Sequence, residues 1–270
     1  MHRCSSLITI SVAAVSWCLL GGSAAAQGAQ RAGVPDLSGV WGGAGGGQSL
    51  VDQPGDVTYT ANARDGSAVN FERDATLQRR LNPNKPIYKA DFWAKVQSLD
   101  VNRNKEDSFF SCRPAGVPRM GPPTRIVQTA MDVIFLYQGP YPTASTFRVI
   151  PTDGRPHHPI NSLDQTYLGD SVGRWEGDTL VIDTVGFNDI SWLDHPGYFH
   201  TTDMRVTERL RRQGDTLHYA VTVEDPAVLM EPFVMTPRQL RLNTAPDFIF
   251  IEESPCIEHD LPHLITNERH

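Results

Sequence analysis

The chain has 270 residues, with 24 lysines and arginines against 31 aspartates and glutamates, for a formal net charge of −7. An acidic balance with no run of basic residues argues against nucleic acid and anionic membrane surfaces as partners. The 22 glycines and 20 prolines are dispersed, which suits many short strands and turns and argues against a long disordered tail.

The chain opens MHRCSSLITISVAAVSWCLLGGSAAAQGAQ. Arg3 precedes an apolar run from Leu7 to Leu20, and small residues follow to Ala26. That order predicts a Sec-type signal peptide over residues 1–26, cleaved after Ala26, and hence a periplasmic or secreted protein. The run is too short for a comfortable transmembrane span. Bulky Trp17 before Cys18 argues against lipidation. Cys4 and Cys18 leave with the leader, so Cys112 and Cys256 remain. In an oxidising compartment these two are expected to form a disulfide, and a loop of that length contributes on the order of 4 kcal/mol. The leader removes one basic residue and no acidic one, making the mature chain more acidic by one charge.

Residues 27–36 read as a polar linker, 37–258 as a single β-barrel domain, and 259–270 as a tail that includes His259, His263 and His270. DLSGVWGGAGGG is a short strand running into glycines. Residues 60–110 form a partly helical N-terminal insertion in which Phe92, Val96 and Leu99 fall at i, i+4 and i+7. From Arg125 the pattern is strands. RIVQTAMDVIFLYQG gives two, broken near Ala130–Asp132, and STFRVI gives another. VGRWEGDTLVIDTVGF and VTERLRRQGDTLHYAVTVED read as hairpins turning at Gly177–Asp178 and Gly214–Asp215, since glycine accepts positive φ. PFVMTPRQLRLN and DFIFIEES supply the last two strands.

A turn at Gly214–Asp215 pairs Leu210 with Tyr219, Glu208 with Val221, and Val206 with Val223. Alternation then places Met204, Val206, Glu208 and Leu210 on one face, apolar except for Glu208. Asp203, Arg205, Thr207, Arg209, Arg211 and His218 face water. Nine or ten strands in succession curl into a barrel or sandwich, and a small barrel can hold one ligand.

Gly39-x-Trp41 resembles the first-strand signature of lipocalin-like barrels, whose tryptophan plugs one end. CRPAGVPRMGPP, RVIPTDGRPHHP, YLGDSVGRWEGDTLVIDTVGFND, WLDHPGYFHTTDMRVTERLRR and VTVEDP together resemble a largely uncharacterised family of exported bacterial lipocalin-like, calycin-type β-barrel proteins. The resemblance covers most of residues 36–258. It implies export, an all-β antiparallel barrel and a small-molecule pocket, and it supplies no catalytic residue. Members often carry a second histidine where Arg205 stands, a departure that weakens any metal site on that strand.

Four histidines fall in two loops: His157 and His158 in IPTDGRPHHP, and His195 and His200 in WLDHPGYFH. Both loops can meet at one barrel mouth. Spacings typical of metal sites are missing: there is no H-E-x-x-H, H-x-H or C-x-x-C. A metal would need His157 and His200 with Asp194 or Glu208, so no metal and no cofactor is expected. Acid–base chemistry by His157 or His200 beside Glu208 or Asp194 is the enzymatic alternative, a lyase, isomerase or hydrolase. Glu208 has a structural alternative, a buried salt bridge with Arg174 or Arg125. There is no Gly-x-Ser-x-Gly elbow, and Ser171 precedes a strand. GGAGGG lacks the lysine of a phosphate loop.

Aromatic residues supply apolar area with an orienting tip. Trp192, Tyr198 and Phe199 are expected at the rim of a pocket, with Trp175 and Tyr167 nearby and His158 and His195 as polar contacts. The leading expectation is an exported barrel that binds a small apolar or amphipathic molecule. The acid–base enzyme and a structural envelope protein are the alternatives.

Overall fold

The alternating patterns become strands because each can bury one face only against another sheet face. In a computed structural model, residues 33–42, 49–50, 86–138, 146–159, 164–194, 197–235 and 237–250 are described. The leader, most of the linker, residues 51–85, His195, Cys256 and the tail lie outside these. The expectations placed on them, including the Cys112–Cys256 disulfide, therefore lie outside the described residues.

The strands are β1 (Gly39–Trp41), β2 (Ser49–Leu50), β3 (Arg125–Gln128), β4 (Asp132–Tyr137), β5 (Thr146–Pro151), β6 (Asp170–Glu176), β7 (Thr179–Val185), β8 (Trp192–Asp194), β9 (Tyr198–Phe199), β10 (Arg205–Gln213), β11 (Thr216–Glu224), β12 (Phe233–Val234) and β13 (Arg238–Asn243). Nine of them form the barrel in the order β5–β4–β3–β1–β13–β11–β10–β7–β6. β2 and β12 pair alongside this path, and β8–β9 is a separate two-stranded sheet. The fold is the expected all-β, lipocalin-like antiparallel barrel.

Both predicted hairpins form. β10 and β11 pair with Leu210 opposite Tyr219, Glu208 opposite Val221 and Val206 opposite Val223, as the alternation requires. Gly177 and Gly214 turn at φ of 63° and 58°. Neither has a neighbour where a Cβ would stand, so glycine is needed there for conformation rather than space. The strand expected from DFIFIEES is absent at residues 247–250. Ala245 N donates to the Asn243 side chain at 2.9 Å, Phe248 N returns to the Ala245 carbonyl, and Ile249 is exposed. A local turn takes the backbone groups that a strand would have offered to the sheet.

Closure follows from parity. Each of the eight steps along the nine-strand path is antiparallel, so the first and last strands, β5 and β6, run in the same direction. They sit close: a Cβ on Gly173 would lie 3.0 Å from Thr152 and 3.1 Å from Ile150. Side chains close this seam from within. The Arg148 guanidinium on β5 donates to Ser171 on β6 at 2.8 Å and to Thr184 on β7 at 3.1 Å.

The two ends of the barrel differ. One carries the tight turns 129–131, 177–178 and 214–215. The other carries the long connections 42–124, 186–204 and 225–237. Near the tight-turn end, Trp41 is buried beneath the Arg212 guanidinium, 5.3 Å from its ring, and its indole N–H donates to the Leu37 carbonyl at 2.9 Å. At the long-connection end a helix, α1 (Trp93–Val101), forms within the expected insertion. It buries Trp93 and Val96 against the β8–β9 hairpin. Gly197 of that hairpin meets the helix backbone so closely that a Cβ would fall 2.6 Å from the Val96 carbonyl.

Candidate functional site

The histidine loop does not reach a barrel mouth. Because β5 and β6 are parallel, the chain between them must pass from one end of the barrel to the other, and His157 and His158 lie against the outer wall. His157 therefore meets residues whose parity points outward. Its Nδ1 is 2.8 Å from Asp170 on β6, and its Nε2 is 2.9 Å from Asp183 on β7. His158 Nδ1 reaches the other Asp170 oxygen at 2.9 Å, and its backbone N–H donates to Asp170 at 3.1 Å. Arg205 on β10 clamps Asp183 with two bonds of 2.6 Å. One chain of charges, His158–Asp170–His157–Asp183–Arg205, thus crosses three adjacent strands. Both His157 nitrogens are engaged, so the ring is held in place and neither nitrogen is turned toward a substrate.

Burial alone would raise the two carboxyl pKa values. Hydrogen bonds from His158 and His157 to Asp170, and from Arg205 and His157 to Asp183, outweigh it and hold both below the usual aspartate range. A group whose folded pKa is depressed stabilises the fold above its unfolded value, near 3.9, and loses that contribution as pH falls through the folded value. Stability measured by urea unfolding is therefore expected to drop below about pH 4, and Asp183→Asn is expected to make that acid limb shallower. An unchanged limb in the variant would show that Asp183 does not couple to folding.

His200 lies elsewhere. It is 2% exposed, under the ring edge of Phe187 at 6.2 Å. Its Nδ1 donates to the Thr201 carbonyl at 3.1 Å, which leaves Nε2 to accept from the Ser191 hydroxyl at 3.0 Å. Burial pushes its pKa down, against smaller upward pulls from the Thr201 carbonyl, Asp225 and Asp189. The pair has the form of a nucleophile and its base, but Ser191 is 1% exposed and closed to a substrate. Asp225 secures this corner by accepting from Thr201 N at 2.7 Å and Thr201 Oγ1 at 2.9 Å.

Glu208 occupies a third environment, the barrel interior, where it is 0% exposed. It forms a buried salt bridge, with Arg148 at 2.7 Å rather than with Arg174 or Arg125. Those two emerge on the outer face, Arg174 against Glu176. Tyr219 donates to Glu208 at 2.9 Å, and Arg148 donates to the Tyr137 hydroxyl at 3.2 Å. The interior around Glu208 is thus filled by charged and phenolic side chains. The structure keeps His157, His200 and Glu208 in separate surroundings. Asp194 is half-buried at the end of β8.

The expected aromatic rim is a packed layer. Trp192, Tyr198 and Phe199 are all under 5% exposed. Tyr88 stacks on Tyr198 and Phe199 with ring centroids 6.1 and 5.2 Å away, and meets Trp93 edge-on at 5.5 Å. These side chains join the helix to the β8–β9 hairpin instead of lining an opening. Trp175 faces the interior beside Leu180 in register, and the Tyr167 carbonyl accepts from Val117 N at 3.2 Å.

An open cleft of about 560 Å³ does lie at the long-connection end, lined by Lys89, Asp203, Arg205, Glu224, Asp225, Pro226, Leu229, Met230, Glu231 and Pro232. Arg205 belongs both to this cleft and to the histidine–aspartate chain. Lys89 Nζ donates to the Pro226 and Ala227 carbonyls at 2.6 and 3.3 Å, which fixes it to the cleft wall. Sequence reasoning placed Asp203 and Arg205 in water, noted Arg205 only as a departure from the family's histidine, and missed Arg148, Asp183, Lys89 and Met230. Asp183 had a visible signal, a charge within the apolar run LVIDTV. Among the described residues, no group of three or more His, Cys, Asp or Glu side chains is arranged to hold a metal ion. No family model, curated protein or solved structure matches the chain.

Proposed function

We propose that the protein is an exported barrel that binds a small amphipathic molecule with a cationic head in the cleft beside β10 and β11. One observation carries this reading: the carboxylates of Asp203, Glu224 and Glu231 line the same cleft as Met230, whose side chain is 68% exposed. The two cations of the cleft do not cancel those charges: Asp203, Glu224, Asp225 and Glu231 outnumber Lys89 and Arg205 by four to two, and Arg205 is also paired with Asp183 outside the cleft lining. A cationic head therefore gains attraction from the carboxylates, and Pro226, Leu229, Met230 and Pro232 offer apolar surface to a tail. The signal-like N-terminus supports export, and the resemblance to exported lipocalin-like proteins agrees with a binding role.

Decylamine and decanoate, titrated by calorimetry, test this. Decylamine is expected to bind and decanoate to bind at least about tenfold more weakly, a difference of about 1.4 kcal/mol. Changing Glu224→Gln and Glu231→Gln together should weaken decylamine by a similar factor. Equal affinity for the two chains, or a double variant with unchanged affinity, would sink the assignment.

A further inference from the structure

The outer face of β3–β4–β5 is built the wrong way round for a wall that meets water. Arg148 and Ile150 of β5 point inward, so Phe147 and Val149 point out, 62% and 49% exposed. Phe147 stands opposite Leu136, and Val149 opposite Ile134. On the next strand Val127, 36% exposed, stands opposite Ile134. Ile134 and Leu136 are half-buried. Five apolar side chains therefore form a continuous patch across three strands, with about 4.8 Å between strands and 6.8 Å between successive outward residues. A contiguous apolar patch rimmed by charge marks an interaction surface.

The charges on the rim indicate which partner fits. Arg125 stands opposite Leu136 at one edge. Asp132 lies on the same outward face of β4, four residues from Leu136, or about 14 Å along the strand. The basic group is at one end of the apolar patch and the acidic group at the other. A two-fold axis running across the strands at the Val127–Ile134–Val149 row exchanges these two ends. It would bring Arg125 of each molecule to the level of Asp132 of the other, one strand spacing of about 4.8 Å to the side and within an arginine's reach, with the apolar row meeting itself on the axis. Such a surface is self-complementary, as an isologous contact requires, and the face-to-face packing is that of a β-sandwich.

We propose that this face is the contact between two copies of the chain in a symmetric dimer. The contact lies on β3–β5, away from the cleft on β10–β11, and does not depend on what the cleft binds. A neutral membrane surface could also cover an apolar patch, but it would have no use for the opposed charges.

Sedimentation velocity on the purified protein tests the assignment. The expected mass is that of two chains. Phe147→Glu with Val149→Glu should give a monomer with the wild-type circular dichroism spectrum and a thermal midpoint that no longer depends on protein concentration. Arg125→Glu should weaken association at least about tenfold, and adding Asp132→Arg should restore it, because the swapped pair again joins opposite charges. A wild-type monomer at about 100 μM would overturn the proposal. So would a dimer that survives the double glutamate change, a charge swap that fails to restore association, or a monomer that floats with phosphatidylcholine vesicles.

Discussion

Arg148→Met is expected to lower unfolding stability by about 3–5 kcal/mol, as removing one partner of a buried ion pair does. The variant leaves the Glu208 carboxyl group in the barrel interior without its cation, with only the Tyr219 hydroxyl to answer it. Glu208→Gln should cost a similar amount by leaving the Arg148 guanidinium without an anion. In the native protein burial opposes the charge on Arg148, while Glu208 and Tyr137 favour it strongly enough to hold its pKa above the ordinary value. The double variant separates the pair from its surroundings. With both charges gone, no ion is stranded, so the loss should fall short of the summed single losses by at least about 1 kcal/mol. Urea unfolding of the four proteins gives the comparison. Strict additivity would mean that the two residues act independently and that the ion pair itself contributes nothing to stability.

Tyr88→Ala should cost about 3–5 kcal/mol, the usual range for deleting a large aromatic side chain from a core. Tyr88 is 1% exposed and touches both the helix and the β8–β9 hairpin. It stacks on the β8–β9 hairpin, its hydroxyl donates to the Phe199 carbonyl, and its own carbonyl accepts from the Trp93 indole at 3.1 Å. Burial, with Tyr198 and Asp225 nearby, pushes its pKa up, so the phenol remains a donor. Its flanks hold the cleft wall: Lys89 N donates to the Val228 carbonyl and Met230 N to the Ile87 carbonyl, both at 2.9 Å. The alanine variant should therefore lose decylamine binding as well as stability. Tyr88→Phe keeps the stacking and should cost only about 1 kcal/mol, the net value of one hydrogen bond. Thermal melts of the two variants decide this, and equal losses would mean that the hydroxyl rather than the ring carries the contact.

The hairpins were legible because alternation and a glycine turn fix register together. A shift of one residue would move Val206, Leu210, Leu217 and Tyr219 out of the core. The strand STFRVI misleads on the same rule. Its apolar Phe147 and Val149 suggest an inward face, yet the register that pairs Pro151 with Asp132 turns Arg148 inward. Only the partners of Arg148, spread over β4, β6, β7 and β10, make that inversion stable, and none of them is a neighbour in sequence. The aromatic loop WLDHPGYFH likewise carries no sign that a helix about 100 residues earlier covers it. The histidine pair was recognisable as unusual for a turn. Its partners could not be read, because the parallel seam that takes the loop down the outer wall depends on the number of strands rather than on any motif.

The chain enters β1 and leaves β13 side by side, with Val40 opposite Asn243, at the end that carries the tight turns. The cleft opens at the other end, roughly 30 Å away along nine residues of β10. Any tether, tag or surface attached through the flanks of the barrel thus presents the cleft outward. A short peptide joining those flanks would make the barrel continuous there. New ends could then be cut at Gly214–Asp215, a two-residue turn whose glycine has open space around it.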